Sequence, residues 1–568
     1  MDFIALQRAK LHYVFENIFH VVERLVSEKE AKMNKIFKVI WSKSKQCYVV
    51  VSELAKNTTG KKKIVVASIL AALVAGQTMQ VEATKGDFYE TWSVKGAIAI
   101  GKAGSAAPQA TEENSIAIGQ SAKSNGRGGV ALGNESESKT SSVAVGYRAK
   151  AKANNTVAIG VETNNDPSIS DNFSSVSIGI TTRARAVGSM AMGVSADASG
   201  KYSLALGSGD VSTDYTAGTN YPSASGEKSI AIGYNSDAGA KSSISIGDSS
   251  SASQESAIAI GKSASADGLG SFAAGLQTNA SGAGSIAIGG ATSDTASNGA
   301  TASGAASIAM GYKSKASSQN AVSIGSESKA SELNALAIGT NANVTKQNAT
   351  AVGSGASVTG HNATAVGNET TAVKQYDNAF GYKSTASGGA ATALGYYATA
   401  SGNQTVALGS TINSTAQYAT GIGYSVNSQG EGSVAIGAGT DALGAMPAKQ
   451  VKATAKNAIA IGRATQATSQ DATAIGTDAT ASNTDAIAIG RLSNASGSTS
   501  IGFGYNTQST ATNTVAIGTD VSATAESAIA LGRKTTASAL NATAVGPIAN
   551  ASGKYSSAFG MSAAHTKC

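Results

Sequence analysis

The sequence repeats itself every fourteen residues. Residues 229–247 read SIAIGYNSDAGAKSSISIG, in which Ser-Ile-Ala-Ile-Gly returns as Ser-Ile-Ser-Ile-Gly. Thirty-one glycines close such a motif between residues 101 and 560, and twenty-four of the thirty intervals between them are fourteen residues long. A short period held over so many copies is typical of stacked structural units. The glycines that mark this period include Gly119, Gly233, Gly247, Gly261, Gly325, Gly339, Gly437 and Gly462.

Each motif has the alternation of a β-strand. Ile230 and Ile232 alternate with Ser229 and Ala231, and period two with β-branched residues predicts a short strand. We expect the Ile and Val side chains to face a core and the small residues to face another backbone. The glycine follows as a turn residue, and a weaker alternation at 236–240 predicts a second strand. The fold class predicted is all-β, a parallel β-solenoid with two strands and two turns per coil.

Composition agrees with a solenoid. The chain has 65 Gly, 5 Pro and only 5% aromatic residues, which is too few bulky side chains for large compact cores. Almost all of the net charge of +7 comes from the first 83 residues, where 13 Lys and Arg stand against 7 Asp and Glu. The remaining residues have 30 against 29. A neutral repeat region gives no reason to expect a nucleic-acid partner.

The N-terminal part predicts an export signal. Three lysines at 61–63 precede twelve apolar residues at 64–75, a run too short to span a bilayer but typical of a signal peptide. We expect cleavage after Ala83, with Ala75 as the alternative, and a Sec machinery partner. Residues 33–56, MNKIFKVIWSKSKQCYVVVSELAK, resemble the extended signal peptide region of type V secretion proteins in Gram-negative bacteria. This resemblance implies a signal at 33–83 that starts at Met33, with 1–32 an upstream extension.

Five intervals carry insertions, which must loop out of a stack. The longest ones lie near 208–228, 290–303 and 438–456. Exposed aromatic and cationic residues are plausible partner contacts, so we expect ligand contacts at Tyr215, Tyr221, Lys449, Lys452 and Lys456. The alternative is that these are tolerated surface insertions.

Tyrosine also recurs directly after the motif glycine. Tyr382 and Tyr396 occupy successive coils, and the strand spacing predicts that their rings stack about 4.8 Å apart. These tyrosines pack the turn or bind a ligand, and the sequence leaves both readings open.

No catalytic, metal-binding or cofactor-binding constellation is present in the sequence. His12 and His20 precede the mature chain, and His361 and His565 stand alone, so no histidine pair has ligand spacing. Cys47 lies in the signal and Cys568 is the last residue, which leaves no disulfide pair. We expect a protein without enzymatic activity, metal or cofactor.

The repeats resemble a known family. NSIAIG at 114–119 returns as NTVAIG at 155–160 and 513–518 and as NAIAIG at 457–462. Residues 92–560 are similar in this respect to the head of YadA-like trimeric autotransporter adhesins. The resemblance implies a left-handed parallel β-roll, a homotrimer, and a location at the cell surface and outer membrane of a Gram-negative bacterium. It also implies adhesion to a host extracellular matrix protein or cell-surface receptor. The alternative is a structural spacer or autoaggregation module without a host ligand.

In that family a neck, a coiled-coil stalk and a C-terminal membrane anchor follow the head. The sequence ends in MSAAHTKC without heptads or a barrel pattern. We therefore expect residues 84–568 to be head repeats. We favour an incomplete reading of a longer gene, and the alternative is a truncated product that cannot hold itself at the surface.

Overall fold

The computed structural model describes residues 37–42, 47–52, 88–90, 94–102, 106–165, 174–210, 219–294, 298–440 and 449–566. These residues form strands and turns and no helix, and so no helix that could cross a membrane. The chain divides into two units, Met1–Gly86 and Asp87–Cys568. The first unit has one antiparallel strand pair, Phe37–Ser42 with Cys47–Ser52, which aligns Phe37 with Ser52. The predicted start Met33, the cleavage positions Ala75 and Ala83, and residues 1–32 lie outside the described residues.

The second unit is a stack of similar coils, and the coil that begins at Ser229 shows the plan. The motif strand Ile230–Ile232 leads into the glycine turn, residues 233–235, and then into the second strand Asp237–Ala238. Residues 239–242 form the return turn, after which the next coil begins. Both strands pair in parallel with the same positions of the next coil, so that Ile230 aligns with Ile244 and Asp237 with Ser251. The parallel β-solenoid predicted from the period is confirmed.

Two series of strands run through the unit, after an opening strand Phe88–Glu90 that pairs antiparallel with Ile98–Lys102. In two coils the motif strand and the second strand merge into one strand, Val406–Ser414 and Thr420–Ser428. The other motif strands are Ile98–Lys102, Ile116–Ile118, Val130–Leu132, Val143–Val145, Val157–Val161, Val176–Ile180, Met190–Val194, Leu204–Ser208, Ile230–Ile232, Ile244–Ile246, Ile258–Ile260, Phe272–Ala274, Ile286–Ile288, Ile308–Met310, Val322–Ile324, Leu336–Ile338, Thr350–Val352, Thr364–Val366, Asn378–Tyr382, Thr392–Tyr396, Val434–Ala438, Ile459–Ile461, Thr473–Ile475, Ile487–Ile489, Ile501–Tyr505, Val515–Thr519, Ile529–Arg533, Thr543–Val545 and Ser557–Phe559.

The second strands are shorter. They are Gln109–Ala110, Lys123–Ser124, Glu137–Ser138, Lys150–Ala151, Asn164–Asn165, Arg183–Ala184, Asp197–Ala198, Ser223–Ala224, Asp237–Ala238, Ser251–Ala252, Ser265–Ala266, Asn279–Ala280, Thr301–Ala302, Lys315–Ala316, Lys329–Ala330, Asn343–Val344, Ser357–Val358, Thr371–Ala372, Thr385–Ala386, Thr399–Ala400, Val451–Ala453, Gln466–Ala467, Thr480–Ala481, Asn494–Ala495, Gln508–Ser509, Ser522–Ala523, Thr536–Ala537, Asn550–Ala551 and Ala564–His565.

The interior of the stack consists of small side chains. Ala231 at the centre of a motif strand and Ala238 in the following second strand are both fully buried. The Ile side chains on either side of the motif alanine point outward instead, and Ile260 is 40% exposed. The expectation that Ile and Val face the core was therefore wrong for the single chain. The two strands of a fourteen-residue coil enclose an interior that is filled by alanine, so the branched side chains must lie on the outer surface.

Serine replaces the central motif alanine in three described coils, and each time it is hydrogen-bonded inside. Ser245 pairs with Ser250 at 2.7 Å, and the same five-residue spacing joins Ser177 to Thr182 at 2.7 Å and Ser323 to Ser328 at 2.8 Å. A buried hydroxyl is costly unless it has a partner. At the centre of the motif strand, each buried serine hydroxyl is therefore paired with a second hydroxyl across the glycine turn.

The motif glycine is required by its backbone. Gly261 has φ +129°, and a Cβ at this position would lie 2.6 Å from the carbonyl oxygen of Gly275 in the next coil. Two residues later the chain is again left-handed, as at Ser263 with φ 53°. The positive φ angles of Gly261 and Ser263 together reverse the chain direction within three residues. The backbone of the glycine turn is therefore tightly constrained.

Candidate functional site

Each coil presents two strand faces and two turn edges to the outside, and they differ in chemistry. The motif-strand face carries columns of branched apolar side chains, since Ile232, Ile246 and Ile260 align in successive coils. The equivalent side chains of other coils are partly exposed, and Ile100, Ile159 and Ile517 are 37–38% exposed. A contiguous exposed apolar surface marks an interaction site in soluble proteins.

The second-strand face is polar by comparison. Its outward position is taken by residues such as Asp237, Ser251 and Ser265, which align with one another in successive coils. Lys315 and Lys329 occupy the same position further on and are exposed. Only the motif-strand face therefore offers a surface that gains from being covered by another apolar surface.

The glycine-turn edge collects aromatic side chains. Seven tyrosines directly follow a motif glycine: Tyr147, Tyr234, Tyr312, Tyr382, Tyr396, Tyr424 and Tyr505. The rings of Tyr382 and Tyr396 stack with their centroids 5.3 Å apart and their planes 13° apart. The stacking predicted from the strand register is thereby confirmed. These rings are 37% and 53% exposed, so packing within the turn leaves much of each ring accessible.

Cations accompany several of these tyrosines. The Arg148 guanidinium lies 4.9 Å from the ring centre of Tyr147, and its nitrogens contact Glu135 at 2.7 Å and Glu162 at 3.0 Å. All three charged residues occupy the same turn position in successive coils. The hydrogen bonds to Glu135 and then to Glu162 raise the pKa of Arg148 above its ordinary value. The charges of this edge are therefore arranged as alternating ladders between coils.

The insertions with described ends emerge mainly at the same edge. Four of them lie between a motif strand and its second strand, and one of these follows Gly101. The three long ones follow Gly207, Gly289 and Gly437, and the coil is regular again at the second strands Ser223–Ala224, Thr301–Ala302 and Val451–Ala453. The insertion between Asn165 and Val176 differs, because it follows a second strand and leaves from the return turn.

Each of the three long insertions is tied to the glycine turn of another coil. The hydroxyl of Tyr234 donates to Asp210 at 3.1 Å. Lys262 contacts Asp294 at 2.6 Å, and this hydrogen bond is the main cause that raises the pKa of Lys262. In the third insertion Lys449 contacts Asp478 at 3.0 Å. The insertions therefore lie along the edge that also carries the tyrosines.

The residues predicted as ligand contacts do not form one cluster. Tyr215 lies outside the described residues. Tyr221 is half-buried, and its ring centre is 5.0 Å from the guanidinium of Arg183. Arg183 in turn contacts the buried carboxylate of Asp197 at 3.2 Å, which Arg185 also contacts. Tyr221 thus packs against an arginine that is paired with a buried carboxylate.

The three predicted lysines occupy different parts of their coil. Lys449 is exposed at the end of the insertion, Lys452 is half-buried in the strand Val451–Ala453, and Lys456 is exposed in the return turn. The ammonium of Lys456 lies 3.7 Å from Glu431. Of the three, Lys449 alone belongs to the glycine-turn edge.

Sequence reasoning did not single out Tyr397 and Lys383. Both lie beside the stacked pair: the ring of Tyr397 is 4.6 Å from that of Tyr396, and Lys383 is 5.3 Å from the ring centre of Tyr382. A signal was present in the sequence, because Tyr396 and Tyr397 form the dipeptide in ALGYYATA. The described residues contain no group of three or more His, Cys, Asp or Glu side chains that could hold a metal ion.

The fold and its surfaces define a repeat protein of the parallel β-roll class, and comparison with protein families identifies it further. Residues 33–81 match the family described as Extended Signal Peptide of Type V secretion system. The family described as YadA head domain repeat matches residues 110–136, 138–163, 184–209, 223–236, 238–264, 266–292, 298–314, 302–328, 316–342, 345–370, 379–398, 386–411, 453–478, 467–493, 495–520, 523–547 and 537–563.

Because these head repeats cover more than half of the chain, the protein belongs to the YadA-like trimeric autotransporter adhesins. The extended signal peptide indicates export, and the family indicates a location at the cell surface. The YadA head family is a family of adhesins without enzymatic activity. A comparison with curated proteins gave no match.

Proposed function

We propose that this chain is the head of a trimeric surface adhesin, in which three copies pack through their motif-strand faces. The glycine-turn edges then remain available to a host extracellular matrix protein or cell-surface receptor. The observation that carries the proposal is the division of the surface into an apolar face, with columns such as Ile232, Ile246 and Ile260, and an edge with tyrosines and insertions.

Packing of three copies has a direct physical reason. Burial of apolar surface releases about 25 cal/mol for each Å² removed from water, and most coils present Ile, Val, Leu, Met or Phe at the outward positions of the motif strand. The polar second-strand face provides no such gain. A trimer also presents three equivalent edges, which raises avidity for a ligand that is itself repetitive.

The domain boundaries follow the same proposal. Residues 33–83 direct export through the Sec machinery and are removed after Ala83, or after Ala75, and residues 84–568 form head repeats. N-terminal sequencing of the exported protein by mass spectrometry tests the boundary. A mature protein that begins at residue 84 or residue 76 supports it, whereas one that retains residues 33–60 contradicts it.

For the binding role, the insertions are the first candidates. Tyr215, Tyr221 and Lys449 belong to them or close them, and Lys452 and Lys456 follow in the same coil. Deletion of residues 209–220 places Ser223 four residues after Gly207, and deletion of residues 439–449 places Lys452 four residues after Gly437. Both spacings equal that of a regular coil, so the stack is retained.

The matched control is deletion of residues 291–298, which restores the regular spacing of Thr301 after Gly289 and removes no tyrosine or lysine. We expect the first two deletions together to reduce adhesion of cells displaying the protein to matrix proteins or epithelial cells at least tenfold, with the control unchanged. Adhesion that survives the two deletions contradicts the role of the insertions. Absence of adhesion by the unaltered protein contradicts the adhesin proposal and favours a spacer or autoaggregation module.

A further inference from the structure

One cluster on the glycine-turn edge is unlike the rest of that edge. Tyr382, Tyr396 and Tyr397, with Lys383 beside them, form what is here called the tyrosine platform. Tyr382 and Tyr396 are stacked, and the ring of Tyr397 stands at about a right angle to both, 5.6 Å from Tyr382 and 4.6 Å from Tyr396. Each of the three rings therefore contacts both of the others.

The platform is exposed and also rigid. The three rings are 37%, 53% and 41% exposed, so they form a continuous aromatic surface open to solvent. Lys383 and Tyr397 both have φ 51°, and their amides donate to the carbonyl oxygens of Asn368 and Tyr382 at 2.9 Å. The backbone is fixed at these two residues and the three rings restrict one another by contact, so binding a ligand costs less conformational entropy than ordering separate side chains would.

The electrostatics of the platform disfavour a charged ligand. The Lys383 ammonium lies 5.3 Å and 5.7 Å from the ring centres of Tyr382 and Tyr397, where it repels an added cation. Its charge is matched by Glu369, whose carboxylate lies 3.4 Å away and repels an added anion. A hydrogen bond with Tyr382, and then one with Glu369, raise the pKa of Lys383. Lys383 and Glu369 carry opposite charges, so the platform has no net charge.

We infer that the tyrosine platform binds a neutral saccharide, an inference that rests on the proposed adhesin function and names the ligand class of this part of its edge. A pyranose ring has a face of C–H bonds, which packs on the electron-rich face of an aromatic ring. Its hydroxyl groups project from the rim. The tyrosine hydroxyls and the exposed amide of Asn368 in the adjacent coil supply partners for those groups.

Tyr505, on the same edge, lacks this combination. Tyr505 has no ring neighbour in the described residues and has Arg491 at 5.5 Å from its ring centre. It follows a motif glycine just as Tyr396 does, and it is 41% exposed. Tyr505 is therefore a matched control for the platform: the same turn and residue type, without the cluster.

The test uses the purified full chain on an array of neutral oligosaccharides, followed by titration of the strongest binder. We expect Tyr396→Ala and Tyr397→Ala each to weaken binding at least tenfold, Tyr397→Phe to retain it within about threefold, and Tyr505→Ala to leave it unchanged. Binding of no neutral saccharide overturns the inference, as does an equal loss in Tyr505→Ala. Capture of an aromatic peptide in place of any saccharide overturns it as well.

A second measurement needs no variant. Tyrosine nitration of the unaltered protein, mapped by mass spectrometry, is expected to fall at Tyr396 and Tyr397 when the saccharide is present and to stay constant at Tyr505. Equal nitration with and without the saccharide overturns the inference. Cell adhesion measured in parallel separates the two proposals: adhesion without saccharide binding supports the adhesin and rejects this ligand, while saccharide binding without adhesion supports the ligand and rejects the adhesin role.

Discussion

At the scale of single residues, the motif glycine meets two constraints at once. Its φ lies where an L-residue is strained, and its Cα faces the carbonyl group of the next motif glycine. Sequence alone predicted a turn at this position, because glycine recurs with the period. It did not predict the close approach between coils, which depends on how directly successive glycines lie above one another.

The replacement Gly261→Ala tests this account. Strained backbone and a Cβ only 2.6 Å from the oxygen of Gly275 are expected to destabilise the adjacent coils by about 1–3 kcal/mol. Hydrogen exchange of amides in those coils measures the change in the free energy of local opening. Gly239→Ala is the control, since Gly239 has no positive φ and its added Cβ would have no atom nearer than 3.8 Å. Equal protection in both variants would contradict the account.

A second residue-scale prediction concerns Ile548, a β-branched residue with φ 61° in a glycine turn. The equivalent turn position is asparagine in other coils, as at Asn235 with φ 51°. Because asparagine tolerates the left-handed region and isoleucine does not, Ile548→Asn is expected to stabilise its coil by about 1 kcal/mol. Slower hydrogen exchange around residue 548 would agree with this, and faster exchange would not.

At the scale of the coil, the interior is small enough for single methyl groups to matter. Gly421 replaces the central motif alanine where larger residues, Ile412 and Val426, are buried in the second half of their coils. A Cβ on Gly421 would lie 2.5 Å from Oγ of Ser414 and 2.8 Å from Cγ2 of Ile412. The space that an alanine methyl group would fill at residue 421 is therefore occupied by side chains of the neighbouring coil.

This compensation predicts energetic coupling. Gly421→Ala is expected to lower the free energy of unfolding of these coils by about 1–3 kcal/mol through overpacking. Combination with Ile412→Ala removes the contact with Ile412 and leaves the one with the Ser414 hydroxyl, which can rotate away, so the double variant is expected to lose less than the sum of the two single changes. A double-mutant cycle on local opening free energies measures the coupling. Strict additivity would show that the added methyl group at residue 421 and the side chain of Ile412 do not compete for the same space.

The alternation with period two and the repeat of fourteen residues predicted the strands and turns of the coil correctly. They did not predict which face of the motif strand is buried. Alternation shows that Ile230 and Ala231 face opposite sides, but hydrophobicity favoured the wrong one as the interior. Burial is decided by the distance between the two strands of one coil, which sequence does not reveal. The same limit applies to the edge: the stacking of Tyr382 on Tyr396 follows from register, while the approach of Tyr397 and Lys383 depends on left-handed turn geometry.

At the scale of the whole molecule, the wrong assignment of the faces bears directly on assembly. Since alanine fills the interior of each coil, the Ile and Val columns remain half-exposed in a single chain. Repeated along the stack, they are the part of the surface with most to gain from contact with further copies. The ligand-binding proposals for the glycine-turn edge then depend on that edge remaining outside the contact.

The central claim is that three chains associate through the motif-strand faces, and the most direct test is the molar mass of the purified protein in solution. Multi-angle light scattering at micromolar concentration, with far-UV circular dichroism on the same sample, gives mass and β-structure together. The account predicts a β-rich particle with three times the mass of its own chain as measured by mass spectrometry. A β-rich particle with the mass of a single chain would contradict it.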